Sequence, residues 1–557
     1  MRANRIFQYM IVAALALFLG MFLLLPVFTV IQVGCDAELI MEALRSPVYR
    51  EGLFNSLLIA VVTTLLVALI SLPLALIYDR FDFPCKEWCS LAMLLPMILP
   101  PFVGALGFQQ LLGHYGVFNA ILTSLGFERV DFLGGNGTFW SVCFIEALHL
   151  YPIFYLNSVT ALGNIDPALN ESAANMGASR WKRFTSITLP LMRPGLLAGG
   201  SIVLVWSFTE LGTPLMFGYT RVAPVQILNG LNELETNPLP YSLVLIMLVV
   251  SAGLYLVSRL ALGSKNGASS GKGSMGTSAI KLRSWKRFLP LAAFGSVSFC
   301  AVLPHLALIG IAFGKNYYNS VLPHGFTLQH FDNALSNVLV LPSIGNSLRY
   351  SLLAMLIAVV IGVVVALASV RWKLRGSGIV DLLSMLPLAV PGVVIAFGFL
   401  GMTVRFSWAE TLFDPVNNPL WLLSIAYAVR RIPYVVRSVG SGLEQTPEEL
   451  ENAARNFGAS PWQVLCKITV PLVAANLLVG GLFAFSFSML EVSDSLILAQ
   501  KSEFFPITKA LFELSQILGS GPSSASAFGV WAMCFLAVTL IAAGILMGKR
   551  IGSIFKF

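Results

Sequence analysis

Long apolar stretches, each closed by a short polar or basic interval, recur from one end of the chain to the other. They mark twelve segments: 6–33, 54–78, 88–112, 138–162, 190–217 and 241–262 in the first half, then 288–313, 346–370, 379–402, 420–440, 471–499 and 527–547 in the second. Each has the length of roughly 20 residues that an α-helix needs to cross a bilayer core. None alternates apolar and polar positions in the manner of an outer-membrane strand. The pattern predicts an all-α polytopic membrane protein. The first run follows Arg2 and Arg5, exceeds the length of a signal-peptide core and lacks a small-residue cleavage site, so it is expected to stay in place as a helix.

The twelve segments form two sets of six that repeat. Asn55-Ser56-Leu57 returns as Asn346-Ser347-Leu348, and Leu95-Pro96 with Pro100 returns as Leu386-Pro387 with Pro391. Gly107 is answered by Gly398, and Tyr151-Pro152 by Ile432-Pro433. Gly199-Gly200 and Glu210 are answered by Gly480-Gly481 and Glu491. The offset is 291 early and 281 later, so one loop is shorter in the second copy. With six segments each, the copies enter from the same side and are parallel repeats. Pro96, Pro100, Pro101, Pro387 and Pro391 are expected to kink the third segment of each repeat. The reading is a first repeat over 1–262, a second over 288–557, and a linker at 263–287 that is rich in Gly and Ser and basic.

Composition agrees: 57% of residues are hydrophobic and 11% charged, with mean hydropathy +0.80, whereas a soluble domain is about 25% charged. The net charge of +8 would suit nucleic acid, but its placement argues otherwise. Of the 35 Lys and Arg residues, 26 fall at the termini and in the even-to-odd connections, which puts both termini in the cytoplasm. Seven scattered cysteines and five histidines offer no paired metal-ligand spacing, so neither a disulfide framework nor a metal site is expected. Gly271-Lys272 lacks the flanking residues of a phosphate-binding loop, so no ATP site is expected in this chain.

The best-matched parts of the two repeats are the loops 166–190 and 446–471, between the fourth and fifth segments. Each reads as a helix–turn–helix. Asp166 and Thr446 are placed as N-caps ahead of Pro167 and Pro447. Gly177 and Gly458 suit a left-handed helix end, after which Ser179 and Ser460 cap a second helix. The segment Ser460-Pro461-Trp462-Gln463 spells a capping box. Ala173 with Ala174, and Ala453 with Ala454, give a small face for close approach of another protein.

These residues resemble the EAA loop of binding-protein-dependent ABC importer permeases, Glu-Ala-Ala-x-x-x-Gly followed at fixed spacing by Ile-x-Leu-Pro. The double-length organisation is similar to permeases of the ferric-iron type. The resemblance implies a type I importer permease with twelve transmembrane helices in a bacterial inner membrane. Two copies of a cytoplasmic ATPase would hold ATP-Mg, and a periplasmic binding protein would deliver the solute. It further implies that Glu171, Ala173, Ala174, Gly177, Ile187 and Pro190 couple to the ATPase in one loop. In the other, Glu451, Asn452, Ala453, Ala454, Gly458, Ile468 and Pro471 would do so. Asn452 stands where the pattern has Glu. Ferric iron is the leading solute, with organophosphonate, sugar phosphate, polyamine and thiamine remaining open.

Ionisable residues inside apolar segments usually face a cavity or a partner. Glu210 and Glu491, with Asp494 one turn beyond, either line the translocation path and meet a cation or hydrogen-bond between helices. Glu146 and His149 either bond each other or line the path, and Arg430 and Arg431, in the matching stretch of the second repeat, carry opposite charge that could pair with them across the repeats but is not the leading expectation. An ion-coupled secondary transporter would use Glu210 and Glu491 but leaves both loops unexplained. A membrane-bound enzyme would need a catalytic cluster that the sequence does not offer.

Overall fold

The computed structural model describes residues 2–98, 101–233, 238–261, 280–315, 317–374 and 376–547. The heart of the linker, 262–279, and Pro100 lie outside these residues. Among the described residues, eight helices are long and apolar enough to cross a membrane, and up to eleven spans result when each of three bent helix pairs is taken as one. The one expected segment left over is the tenth, the helix Leu420–Gln445, which has the length but carries Arg430, Arg431, Arg437 and Glu444. Three residues assigned to the inner-side charge, Arg430, Arg431 and Arg437, therefore sit within a segment rather than in a loop. Two-residue strands are the only sheet pairing among the described residues.

The proline pattern breaks the third segment of each repeat, as expected. In the first, helix ends at Leu95–Ile98 and resumes at Pro101–Leu112. In the second, a 3-10 turn at Leu386–Leu388 leads to Pro391, and helix resumes at Gly392–Arg405 at 106° to the preceding piece. Pro391 has ψ 141°, and a residue in that conformation cannot continue an α-helix.

Packing does not follow the order of the sequence. One compact unit draws on 1–50, 223–249 and 328–554, the other on 51–222 and 250–327. In the first unit, the opening segment (Arg2–Leu19, a π turn at Gly20–Leu24, then Leu25–Gly34) lies against segment nine of the second repeat. Gly398 makes this possible, because a Cβ there would sit 2.5 Å from the Pro26 carbonyl oxygen. Gly401 packs on Thr29 and Tyr241, and Ser242 donates to the Gly34 carbonyl at 3.0 Å. The second unit repeats the arrangement: segment seven, Phe288–Phe313, lies against segment three, and Gly107 abuts the Pro304 carbonyl, only 1.7 Å from where its Cβ would stand. The glycines that kept step in the two repeats thus each receive the leading segment of the other repeat.

Gly345 is helical too, but an added Cβ there meets nothing within 4 Å. Gly345→Ala is expected to stabilise by up to about 1 kcal/mol, as Ala does for Gly in a helix. Gly398→Ala is expected to destabilise by about 1–3 kcal/mol through overpacking. Thermal unfolding of the two purified variants in detergent should shift in opposite directions.

Candidate functional site

The loops between segments four and five share one backbone design. In the first, Asp166 accepts from Ala168 N at 2.9 Å and caps Pro167–Asn175. That helix ends at Gly177, φ +83°, with Ala178 N donating to Ala173 O and Gly177 N to Ala174 O, both at 2.9 Å. The second loop ends Glu449–Asn456 at Gly458, φ +86°, with Ala459 N donating to Ala454 O at 3.1 Å and Gly458 N to Arg455 O at 3.0 Å. These paired bonds satisfy the last carbonyls of a helix and require a left-handed residue. Ser179 then caps Arg180–Arg183, and Ser460 caps Pro461–Val464 with its capping box complete. A π turn follows at equivalent positions, Phe184–Thr188 and Leu465–Thr469, before each fifth segment.

Thr446 does not cap its helix. Its hydroxyl donates back to Gly442 O at 2.8 Å, so it closes the preceding segment, and the loop helix starts only at Glu449. Glu451 also departs from expectation. It is buried, bonded to Arg371 Nε at 2.9 Å, while Arg371 Nη2 donates to the Thr446 carbonyl at 2.9 Å. This carboxylate therefore braces the loop from within and presents no charge to a partner. The matching positions in the first repeat are Arg80 and Asn170, so the acid is missing there.

Glu171, Ala174, Pro190, Asn452, Ala453 and Pro471 are exposed, while Ala173, Ile187, Ala454 and Ile468 are half-buried under them. The sequence reading missed the largest exposed side chains. Met176 is 87% exposed and Phe457 93%, at equivalent positions beside the two glycines. Trp181 and Trp462, and Leu169 and Leu450, are exposed in register with them. The signal was present as three large apolar residues keeping step inside otherwise polar loops.

Within the segments, the acids prove unequal. Glu491 is buried and bonded by both Arg430 and Arg431, and Asp494 lies 3.5 Å from Arg430 Nη1. Arg430 and Arg431 thus pair inside their own repeat, not with segment four, because the end of segment eleven brings two carboxylates beside them. Both Glu491 oxygens are taken by guanidinium groups, as in the reading of an acid bonded between helices rather than the one that meets a cation. Glu210 is half-buried and accepts from Thr213 N at 3.3 Å. Glu146 accepts from the Ser207 hydroxyl, and His149 Nδ1 lies 2.9 Å from the Pro96 carbonyl oxygen. Among the described residues, no group of three His, Cys, Asp or Glu is placed to hold a metal ion.

The family model described as binding-protein-dependent transport system inner membrane component matches residues 72–263 and again 358–547. The ferric transport system permease protein of Actinobacillus pleuropneumoniae is 26% identical over 497 residues, covering 88% of this chain and 69% of its own length. The Fe(3+)-transport system permease protein of Haemophilus influenzae is 24% identical over 492 residues, covering 87% and 88%. The molybdate/tungstate transport system permease protein of Thermococcus kodakarensis is 28% identical over 257 residues, 46% of this chain and 96% of its own.

Replacing Glu451 by Gln leaves Arg371 buried without its counter-charge, which costs about 3–5 kcal/mol. Amide hydrogen exchange through 446–458 is expected to speed up in Glu451→Gln, and less in the double variant Arg371→Met with Glu451→Leu.

Proposed function

Because the chain belongs to the family of binding-protein-dependent transport system inner membrane components, we propose that it forms the whole membrane path of an importer for ferric iron. It is a double-length ABC importer permease, a multi-pass membrane protein that acts as a transport subunit rather than an enzyme. In this reading the repeats 1–262 and 288–557 are joined by the cytoplasmic linker 263–287, and both termini are cytoplasmic. A periplasmic binding protein docks on the outer loops and releases its solute. Two copies of a cytoplasmic ATPase bind ATP-Mg, close on each other, and push on the loops 166–190 and 446–471.

One observation carries the coupling role: each loop displays the same exposed apolar set, with Met176 or Phe457 at its tip and a Trp beside it. Large apolar side chains exposed in register on two polar loops mark a contact surface. The left-handed glycine fixes the angle at which that tip projects; in the first loop the following cap and π turn run on into the fifth segment as one span, Arg180–Met216, and in the second a 75° bend at Val473 separates them from Ala474–Met489. A push on the tip is therefore delivered straight to a membrane helix in the first repeat and across a bend in the second. Glu171 and Asn452, both exposed on the loop helices, are the polar rim of the same surface.

Ferric iron is preferred because the full-length relatives named above are ferric permeases. Molybdate or tungstate is the second reading, favoured by the half-length relative.

A β-branched residue cannot hold φ near +85° without strain of about 1–3 kcal/mol. The double variant Gly177→Val with Gly458→Val is expected to insert normally yet lose copurification with the ATPase, and to take up labelled ferric iron at under a tenth of the normal rate. Undiminished ATPase binding by that variant would remove the coupling assignment. Uptake that persists without ATP would replace the ABC mechanism by ion coupling.

A further inference from the structure

Segment ten, Leu420–Gln445, shows an unusual face. Every residue from Leu422 to Val439 is buried except Arg430, Tyr434 and Arg437, and Ser441 continues the partly exposed line. Spacings of four, three and four place these residues on one side of the helix. A stripe turned to lipid would be apolar; a charged one inside a membrane segment faces water or a polar cargo. Of the matching positions in segment four, His149 and Thr160 are polar and partly exposed, but Ile153 and Leu156 between them are apolar and buried, so the strip is continuous in the second repeat and interrupted in the first.

Arg430 stands at a junction of interrupted helices. Its guanidinium fills the space beside Gly392, where a Cβ would lie 2.7–2.8 Å from it, and Gly392 opens the second half of the broken segment nine. On another side it meets Glu491, just past the end of Ala474–Met489, and Asp494 in the next short helix. Interrupted helices meeting near mid-membrane are where transporters hold their solute.

Burial then sorts the charges. Glu491 and Asp494 retain 5% and 0% of their side-chain exposure, whereas Arg430 retains 21%. The carboxylates are hidden behind the guanidinium, and Arg437, two turns further on, is exposed. Arg430 and Arg431 are balanced by the two acids, so what the strip presents is forked N–H donors, suited to oxygen-bearing anions.

We propose that Arg430, Tyr434 and Arg437 form an anion-contacting strip of the transport path, so that the solute crosses with net negative charge. It crosses as an oxyanion or as a metal ion enclosed by an anionic chelator, and not as a bare cation. This rests on the permease reading above and narrows its substrate class.

Cells carrying the complete importer are offered radiolabelled ferric citrate, ferric ion without chelator, molybdate, or methylphosphonate. The wild type is expected to take up at least one of the three anions in an ATP-dependent manner and not the unchelated ion; the label taken up tells a chelate from an oxyanion. Arg437→Gln and Ser441→Asp are expected to lower that uptake at least tenfold, while Arg437→Lys stays within threefold of wild type. Copurification with the ATPase is expected to be unchanged in all three, which separates loss of the strip from loss of the fold. Equal uptake by Arg437→Gln and Ser441→Asp, or preference of the wild type for the unchelated ion, would overturn the proposal and leave the permease reading intact. Wild-type uptake that needs no ATP would instead overturn the permease reading.

Discussion

No peptide group can be left without a partner in hydrocarbon, and this constraint shapes every segment of the chain. Where the helices run unbroken it is met internally. Where they break, side chains take over. Arg431 Nη2 donates to the Phe487 carbonyl at 2.9 Å, and Thr508 to the Glu491 carbonyl at 2.7 Å. Lys509 reaches the carbonyls of Leu496 and Ala499 at 3.0 and 2.7 Å. In the first repeat, Gln109 serves the Met216 carbonyl, and the Glu210 carboxylate takes the Thr213 amide. The polar residues that look out of place in an apolar sequence are the ones that let the backbone depart from a helix.

The sequence was most informative where a local rule decides the structure. Proline spacing located the breaks in segments three and nine, and Gly177 and Gly458 with the following serines described both loops down to the capping box. It was silent where the outcome depends on distant partners. Arg430 and Glu491 are 61 residues apart, and nothing local distinguishes pairing within a repeat from pairing across repeats. The placement of the opening segment was equally hidden, because the third segments of the two repeats offer the same glycine and either would admit a proline-bearing neighbour. Thr446 failed as a cap for a local reason: its hydroxyl had a carbonyl one turn back, at Gly442, competing for it.

The two loops share a turn and a tip but differ in how they are rooted. Arg371 ties the second loop to the end of segment eight through Glu451 and the Thr446 carbonyl. In the first, Asn170 offers only its backbone carbonyl, to Arg183 at 3.3 Å. A buried ion pair resists displacement more than one partly buried hydrogen bond. Two identical ATPase copies would therefore push on levers of unequal stiffness, and the stiffer one adjoins the repeat that carries the arginine strip.

The contact of Gly398 with Pro26 also bears on how the protein is made. About 370 residues of chain separate the two positions, and at a synthesis rate of about 5–20 residues per second the opening segment waits roughly 20–70 s for its partner. Segment six, which packs on Gly34 through Tyr241 and Ser242, arrives earlier, but the face that Gly398 meets waits through the whole interval. Joining the repeats in one polypeptide ensures that the awaited segment arrives on the same chain, at the same place in the membrane and in equal number. Assembly is thereby converted from an encounter between separate proteins into the timing of a single translation.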